Sequence, residues 1–361
     1  MIIQSLKLKN FRNYELLNLT FHPVTNIFHG DNAQGKTNIL EAVYLAGTTK
    51  SHRGTKDRDM ISFGEEESHI EVKVLKNGVP FRIDIHLKKN SPKGAAINRM
   101  PVKRASELFG IINLVFFSPE DLNIIKNGPA QRRRFMDLEL SQLDKIYLNN
   151  LADYNRVVNQ RNRLLKEMAF QEKLKDTLEI WDMQLVRYGE RVMEGRKKFL
   201  REINEIVGDI HGKLTGGRER LVMEYEPSTG ELSLEEAVRR NRERDIRMKS
   251  TSAGPHRDDI CFKIKDMDIR WFGSQGQQRT AALSLKLAEI EIVKRVIHDT
   301  PVLLLDDVLS ELDKHRQNYL LDSIHDIQTL ITCTGVEEFV NHRFSINKVF
   351  LVQNGQVTNE N

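Results

Sequence analysis

Gly30-Asp31-Asn32-Ala33-Gln34-Gly35-Lys36-Thr37 matches the phosphate-binding pattern G-x-x-x-x-G-K-[ST] at every fixed position, and it constrains the fold more than any other feature of the chain. The pattern works only between a buried strand and a helix. Val24–His29 supplies an apolar run of strand length before it, and Asn38–Leu45 reads as an amphipathic helix after it. Gly30 and Gly35 permit backbone angles and close approaches that a side chain forbids, so successive N–H groups can turn onto phosphate oxygens. Lys36 is placed to bridge terminal phosphates, and Thr37 to offer its hydroxyl to Mg²⁺ at the positive end of the helix. The expected ligand is therefore a nucleoside triphosphate such as ATP, contacted along Gly30, Asp31, Asn32, Ala33, Gln34, Gly35, Lys36 and Thr37.

A chain of 361 residues can bury a large core and is long enough for two lobes. Charged residues make up 29% against 39% apolar, the balance of a globular protein. The formal charge of +4 is too small to identify a partner. No apolar run is long enough to span a bilayer, and Met1–Leu8 alternates like a strand, so a cytoplasmic protein without membrane association is expected. Cys261 and Cys333 lack metal-ligand spacing, which suits a reducing compartment and argues against a zinc site.

Strand patterns at 2–9, 15–21, 24–29, 68–75, 80–87 and 113–117 give way near residue 120 to long helical periodicity. The β/α alternation returns after 250, with strands expected at 260–265, 268–271, 327–333 and 346–352 and a helix over 276–298. The predicted organisation is an α/β nucleotide-binding lobe of mixed sheets from 1–119 plus 250–361, with a helical lobe of 120–249 inserted.

Val302-Leu303-Leu304-Leu305-Asp306-Asp307 has the form of a Walker B strand, four apolar residues followed by acids at the carboxyl end, where α/β sheets bind ligands. Asp306 is assigned to Mg²⁺, and Asp307 to orienting or deprotonating the water that attacks the γ-phosphate. Two further segments complete a set: Ser274-Gln275-Gly276-Gln277-Gln278-Arg279 before a long helix, and Leu309-Ser310-Glu311-Leu312-Asp313.

This set resembles the ATP-binding-cassette superfamily, with Ser274, Gln275, Gly276 and Gln277 at its signature and 310–313 at its D-loop. The resemblance implies that the signature of one subunit closes over a nucleotide held by another, and it gives Lys36, Ser274, Asp307 and Asp313 catalytic roles. Within the superfamily the whole chain resembles the RecF family of bacterial recombination mediators. Leu8–Tyr14, Lys50–Gly54, Asn127–Asp137, Ala253–Asp259 and Ser274–Arg279 carry the likeness, and Leu8–Tyr14 is also similar to Rad50 and the chromosome-maintenance proteins. The resemblance implies a weak DNA-dependent ATPase, an ATP-induced homodimer that binds DNA at single-strand gaps and helps load recombinase, with RecO and RecR as partners.

Arg132-Arg133-Arg134 and the tract 239–249 are candidate phosphate contacts on DNA or else solvated helix faces. Arg12 and Arg53 are candidates for phosphate or DNA coupling or else surface salt-bridge partners, and the resemblance implies for Arg53 a link between DNA binding and hydrolysis. Other classes that share the phosphate loop, a transporter ATPase subunit and a small-molecule kinase, leave Asn10-Phe11-Arg12 or Ser274–Arg279 unexplained. The chain also departs from the superfamily. Asp307 stands where glutamate is usual, which shortens its reach and predicts slow hydrolysis. Hydroxyl residues Thr332 and Thr334 replace a switch histidine, and the Q-loop role is left to Glu120 or Asp121.

Overall fold

The computed structural model describes residues 1–168, 176–335 and 346–360. The chain forms two units, Met1–Asp121 with Lys286–Asn361, and Leu122–Leu285.

The first stretch supplies β1 Ile2–Phe11, β2 Tyr14–Thr20, β3 Thr25–His29, α1 Lys36–Thr48, β4 Glu67–Lys76, β5 Val79–Lys88, β6 Gly94–Ile97, β7 Met100–Pro101 and β8 Leu114–Phe117. The middle supplies α2 Leu122–Lys126, α3 Pro129–Leu143, α4 Lys145–Glu167, α5 Leu178–Leu214, β9 Leu221–Glu226, α6 Leu234–Met248, β10 Asp259–Ile264, β11 Met267–Asp268 and α7 Ile269–Phe272. Then come α8 Gln275–Ile297, which contains the boundary at Leu285, followed by β12 Val302–Asp306, α9 Lys314–Ile324, β13 Thr329–Cys333, β14 Lys348–Gln353 and β15 Gln356–Asn359.

Two sheets build the first unit. One is antiparallel, ordered β2-β1-β4-β5-β6-β7; the other runs β15-β14-β3-β13-β12-β8 and is parallel except at β15. The strands β3, β8, β12 and β13 are nearly continuous in buried residues, as strands covered on both faces must be. Helix α1 packs against β4 and β5 of one sheet and β8, β12 and β13 of the other. It is consequently buried on every side, and the amphipathic helix expected from the sequence is instead a central one. Gly47 belongs to that packing, because a Cβ there would stand 2.5 Å from Leu114 Cδ1.

Register decides what meets at the strand ends. Asp306 lies beside Thr332, and Cys333 beside His29. The carboxyl ends of β3, β12 and β13 thus converge where α1 begins.

The second unit is mostly helical but holds an antiparallel sheet, β11-β10-β9. Strand β9 falls inside the stretch whose sequence is dominated by helical patterns, although Leu221 and Met223 alternate with exposed Val222 and Glu224. Its pairing with β10 ties Asp259–Ile264 to Leu221–Glu226, so this unit reaches Leu285 where the sequence suggested 249. The strand expected over 268–271 is corrected as well. Asp268 caps a helical turn, its carboxylate accepting from Arg270 N at 2.8 Å, and pairing stops at β11.

Candidate nucleotide-binding site

The loop between β3 and α1 uses positive φ at Gly30 (140°), Ala33 (64°) and Gly35 (113°). A Cβ on Gly30 would lie 2.3 Å from the Val352 carbonyl oxygen, and one on Gly35 2.5 Å from Asn13 Nδ2. Glycine is therefore demanded twice over at Gly30, by angle and by a backbone wall, and at Gly35 by angle, with the ends of Asn13 and Tyr14 crowding the space. Lys36, only 7% exposed, folds back and donates to the carbonyls of Gly30 and, at 2.8 Å, Asp31. Two neighbouring turns brace the rest. Asn13 Nδ2 donates to Gln34 O at 3.0 Å, Tyr14 Oη to Gly35 O at 3.1 Å, and Asn354 N to Gln34 Oε1 at 2.6 Å. Burial holds the Tyr14 phenol well above its ordinary range, so it remains a donor. The carbonyls of Gly30, Asp31, Gln34 and Gly35 are all engaged, the arrangement a loop needs if its amides are to serve an anion.

Thr37 Oγ1 donates to Asp306 Oδ1 at 2.8 Å, and Thr332 Oγ1 donates to the same oxygen at 2.8 Å. Burial raises the Asp306 carboxyl above the usual range, against the lowering effect of those two hydroxyls and of Arg53. Asp307 adopts φ 55°, a left-handed conformation Asp tolerates, and its N–H donates to Thr332 O at 3.3 Å and to Thr332 Oγ1 at 3.1 Å. Thr332 thus sets both aspartates. Among the described residues no group of three or more His, Cys, Asp or Glu could hold a metal ion. One carboxylate and one hydroxyl suit Mg²⁺ nonetheless, since that ion takes most of its octahedron from phosphate oxygens and water.

One turn along α1, fully buried Glu41 accepts from Arg12 Nε (2.8 Å), Arg12 Nη2 (2.7 Å) and Ser51 Oγ, with Arg53 Nη1 3.8 Å away. Burial works to raise this carboxyl, but hydrogen bonds from Arg12 and Ser51 and the charges of Arg12 and Arg53 outweigh it and hold it low. Arg53 also donates to Asn38 Oδ1 at 3.1 Å. The two arginines singled out for coupling therefore meet at one acid beside the loop. Glu41 belongs to no motif, and its one signal in the sequence is that it is the single acid within the apolar run 39–46.

Asp313 caps α9, accepting from Arg316 N at 3.0 Å, and that backbone bond foremost keeps its carboxyl below the ordinary range. Asp121 accepts from Ser118 N at 2.7 Å, and burial lifts it to about 6 against the pull of Lys286. In the second unit Ser274 caps α8. Its Oγ accepts from Gln277 N at 3.2 Å while Gln277 Oε1 accepts from Ser274 N at 2.8 Å, a reciprocal capping box, and Ser274, Gln275 and Gly276 are exposed.

The candidate DNA contacts separate. Arg132 is 1% exposed and grips Asp259 through Nε (2.6 Å) and Nη2 (2.9 Å), so it is a structural residue and the phosphate contact expected of it is corrected. Arg133 is half-buried and donates to Asp258 O at 2.7 Å. Arg134 is exposed, as are Arg239, Arg240, Arg244 and Arg247 on α6, whereas Arg242 is half-buried. The Ala253–Asp259 motif acquires a structural reason. Arg196 Nη1 donates to Pro255 O at 2.6 Å, Asp258 accepts from Ser228 N at 2.7 Å and from Tyr225 Oη, and His256 Nδ1 lies 2.6 Å from Tyr154 Oη.

A parallel-sheet ATPase head with a cradle of this kind is the class the geometry defines, and the family described as RecF/RecN/SMC N terminal domain matches residues 2–358. A solved Smc head domain from Pyrococcus furiosus shares the fold at TM-score 0.58 and 17% identity, covering 99% of this chain and 96% of that one. Within that class the chain belongs to the RecF family of DNA replication and repair proteins. It is 63% identical to the DNA replication and repair protein RecF of Lachnospira eligens over 100% of both chains, and 62% identical to that of Agathobacter rectalis over 99% of both. A solved structure of the recombination mediator protein RecF with ATP, in the RecFOR pathway, matches at TM-score 0.93 and 34% identity over 99% of this chain and 97% of that chain. Membership sets aside the transporter and kinase alternatives. No helix among the described residues is long and apolar enough to cross a membrane.

Proposed function

We propose that this chain is a cytoplasmic, ATP-gated DNA repair protein whose two copies close around bound ATP and grip DNA at single-strand gaps. The observation that carries the reading is the 2.8 Å contact of Thr37 with Asp306 directly beside Lys36, a cation, a hydroxyl and a carboxylate at one glycine cradle. Gly30 to Thr37 hold the phosphates, with Lys36 supplying positive charge from its seat on the loop carbonyls. Thr37 and Asp306 hold Mg²⁺, which neutralises phosphate charge when bound. Asp307 orients the attacking water; its short side chain makes turnover slow, so that bound nucleotide acts mainly as a switch. Ser274 with Gln275, Gly276 and Gln277 of one copy completes the site on the other, and Asp313 stands in the segment expected to lie between them.

Arg134, Arg53 and the exposed face of α6 neutralise DNA phosphates without reading bases, and DNA occupancy stimulates hydrolysis. The relatives' RecFOR pathway supports RecO and RecR as partners and the loading of recombinase as the output. Size-exclusion chromatography with ATP tests the central claim: wild type shifts to a dimer, while Lys36→Arg and Ser274→Arg remain monomeric. A full ATP-induced dimer in either variant refutes it. Binding to gapped, single-stranded and duplex DNA with ATP, ADP and no nucleotide, across a salt series, tests the DNA claim.

A further inference from the structure

The capping box at Ser274 is held from outside. Gln277 uses Oε1 on the Ser274 amide, and its Nε2 donates to Glu219 Oε1 at 2.8 Å. A carboxylate can only accept, so Glu219 dictates which end of the Gln277 amide faces it and which end faces the serine. With Gln277 so oriented, Ser274 N is satisfied and Ser274 Oγ receives the Gln277 N–H at 3.2 Å. The serine's own proton has no acceptor among the described residues, and the side chain is exposed. It is available to donate to an anion.

Glu219 is itself delivered by the end of α5. The helix closes on Gly216 and Gly217, with φ of 64° and 78°, and Gly217 N donates to Gly212 O at 2.7 Å. Thr215 Oγ1 donates to His211 O at 2.8 Å and receives Glu219 N at 3.3 Å. Fully buried His211 stands with Nε2 3.5 Å from Glu219 Oε2, and its Nδ1 lies 3.0 Å from Ser284 Oγ. Ser284 Oγ donates to Thr280 O at 2.7 Å, so its oxygen accepts from the imidazole. Gln277 and Ser284 are seven residues apart and share a face of α8. The end of α5 therefore holds α8 at two points two turns apart, one of them the first turn.

We infer that Glu219 is a positioning residue for the Ser274 turn: by fixing the Gln277 amide it presents the serine hydroxyl as a donor to the triphosphate held by a second copy of the chain. This rests on the proposed role of Ser274. The consequence is a split between two readouts that a merely structural residue would not produce, since each copy's own nucleotide is held by Gly30–Thr37 in the other unit.

The test compares Glu219→Ala, Glu219→Gln and Ser274→Ala in the full chain, with circular dichroism as the folding control. A fluorescent ATP analogue binds the monomer of Glu219→Ala and of Glu219→Gln with wild-type affinity. ATP-dependent dimerisation requires about tenfold more protein for Glu219→Ala, a shift of ~1.4 kcal/mol. Glu219→Gln, which keeps an acceptor oxygen, stays within about threefold of wild type. The double variant Glu219→Ala with Ser274→Ala is no worse than Ser274→Ala alone, because the two act through one donor. Wild-type assembly by Glu219→Ala beside a defective Ser274→Ala overturns the inference and leaves the function intact. Wild-type assembly by both overturns the reading of Ser274 itself. Equal defects in Glu219→Gln and Glu219→Ala also overturn the inference, since acceptance would not be what matters. Should Glu219→Ala fail to fold, Gln277→Met removes the same amide, and wild-type assembly there is equally fatal.

Discussion

The two units bury polar side chains for opposite ends. In the first, Lys36, Thr37, Asp306 and Thr332 collect at the ends of parallel strands, where a ligand can meet them. In the second, Arg132, Arg161 and Arg196 are the bulkiest fully or nearly fully buried side chains and face the protein's own carboxylates and carbonyls. Arg161 reaches Asp182 and Asp245, each at 2.7 Å, and Arg196 reaches Asp137 at 2.8 Å. The lesson is that a buried charge marks a site only when its partners leave it something to bind. Where every partner is internal, the charge is scaffold.

Substitutions should separate the two regions, and the largest effect belongs to the second. Arg161→Ala strands Asp245 without its cation and is expected to lose about 3–5 kcal/mol in urea unfolding. The next concerns His256, which burial, aided by the charge of Arg257, holds down to about 4 from an ordinary value of 6.5. A histidine lowered in the fold contributes stability above its unfolded value and loses it as pH falls toward the folded one. Stability should drop by about 3 kcal/mol between pH 6.5 and pH 4 from this group, and His256→Gln should flatten that part of the profile. Gly30→Ala tests the first unit, where a methyl at φ 140° beside the Val352 carbonyl should cost about 1–3 kcal/mol and abolish nucleotide binding.

Smaller still, and opposite in sign, is Asp306→Asn. Burial penalises that carboxylate, so the amide should raise the melting temperature of nucleotide-free protein while removing Mg²⁺-dependent stabilisation by ATP. A lower melting temperature would contradict the contrast between ligand-facing and internal charge. Arg134→Ala should leave stability within about 0.5 kcal/mol and reduce the salt slope of DNA binding by about 1. Arg132→Ala, its neighbour, should instead unfold the protein more readily.

The cradle was legible because its residues are consecutive and each is dictated by local backbone demands. The Walker B strand was legible because a strand buried on both faces must be continuously apolar until it reaches the ligand. The arginine run was not legible: Arg132 and Arg134 are identical as letters, and what distinguishes them is Asp259, distant in sequence and brought in by β10. Glu41 and Glu219 carry no motif, and Asn13 and Tyr14 stand out only as part of the Leu8–Tyr14 likeness, without a role, for the same reason: each acts through a contact made only by tertiary folding. Strand β9 was hidden by its surroundings; six alternating residues weigh little between long helices. Ser274 stood out by its resemblance, whereas the glutamate that aims its amide partner carries no motif.

The cradle opens with Gly30, but Val352 forms the wall behind that glycine and Asn354 ties Gln34. During synthesis the phosphate loop leaves the ribosome hundreds of residues ahead of the strand that completes it. A nascent chain carries the motif long before it can shape the pocket, so competence to hold nucleotide arrives only with the final strands, after the inserted helices have had time to fold.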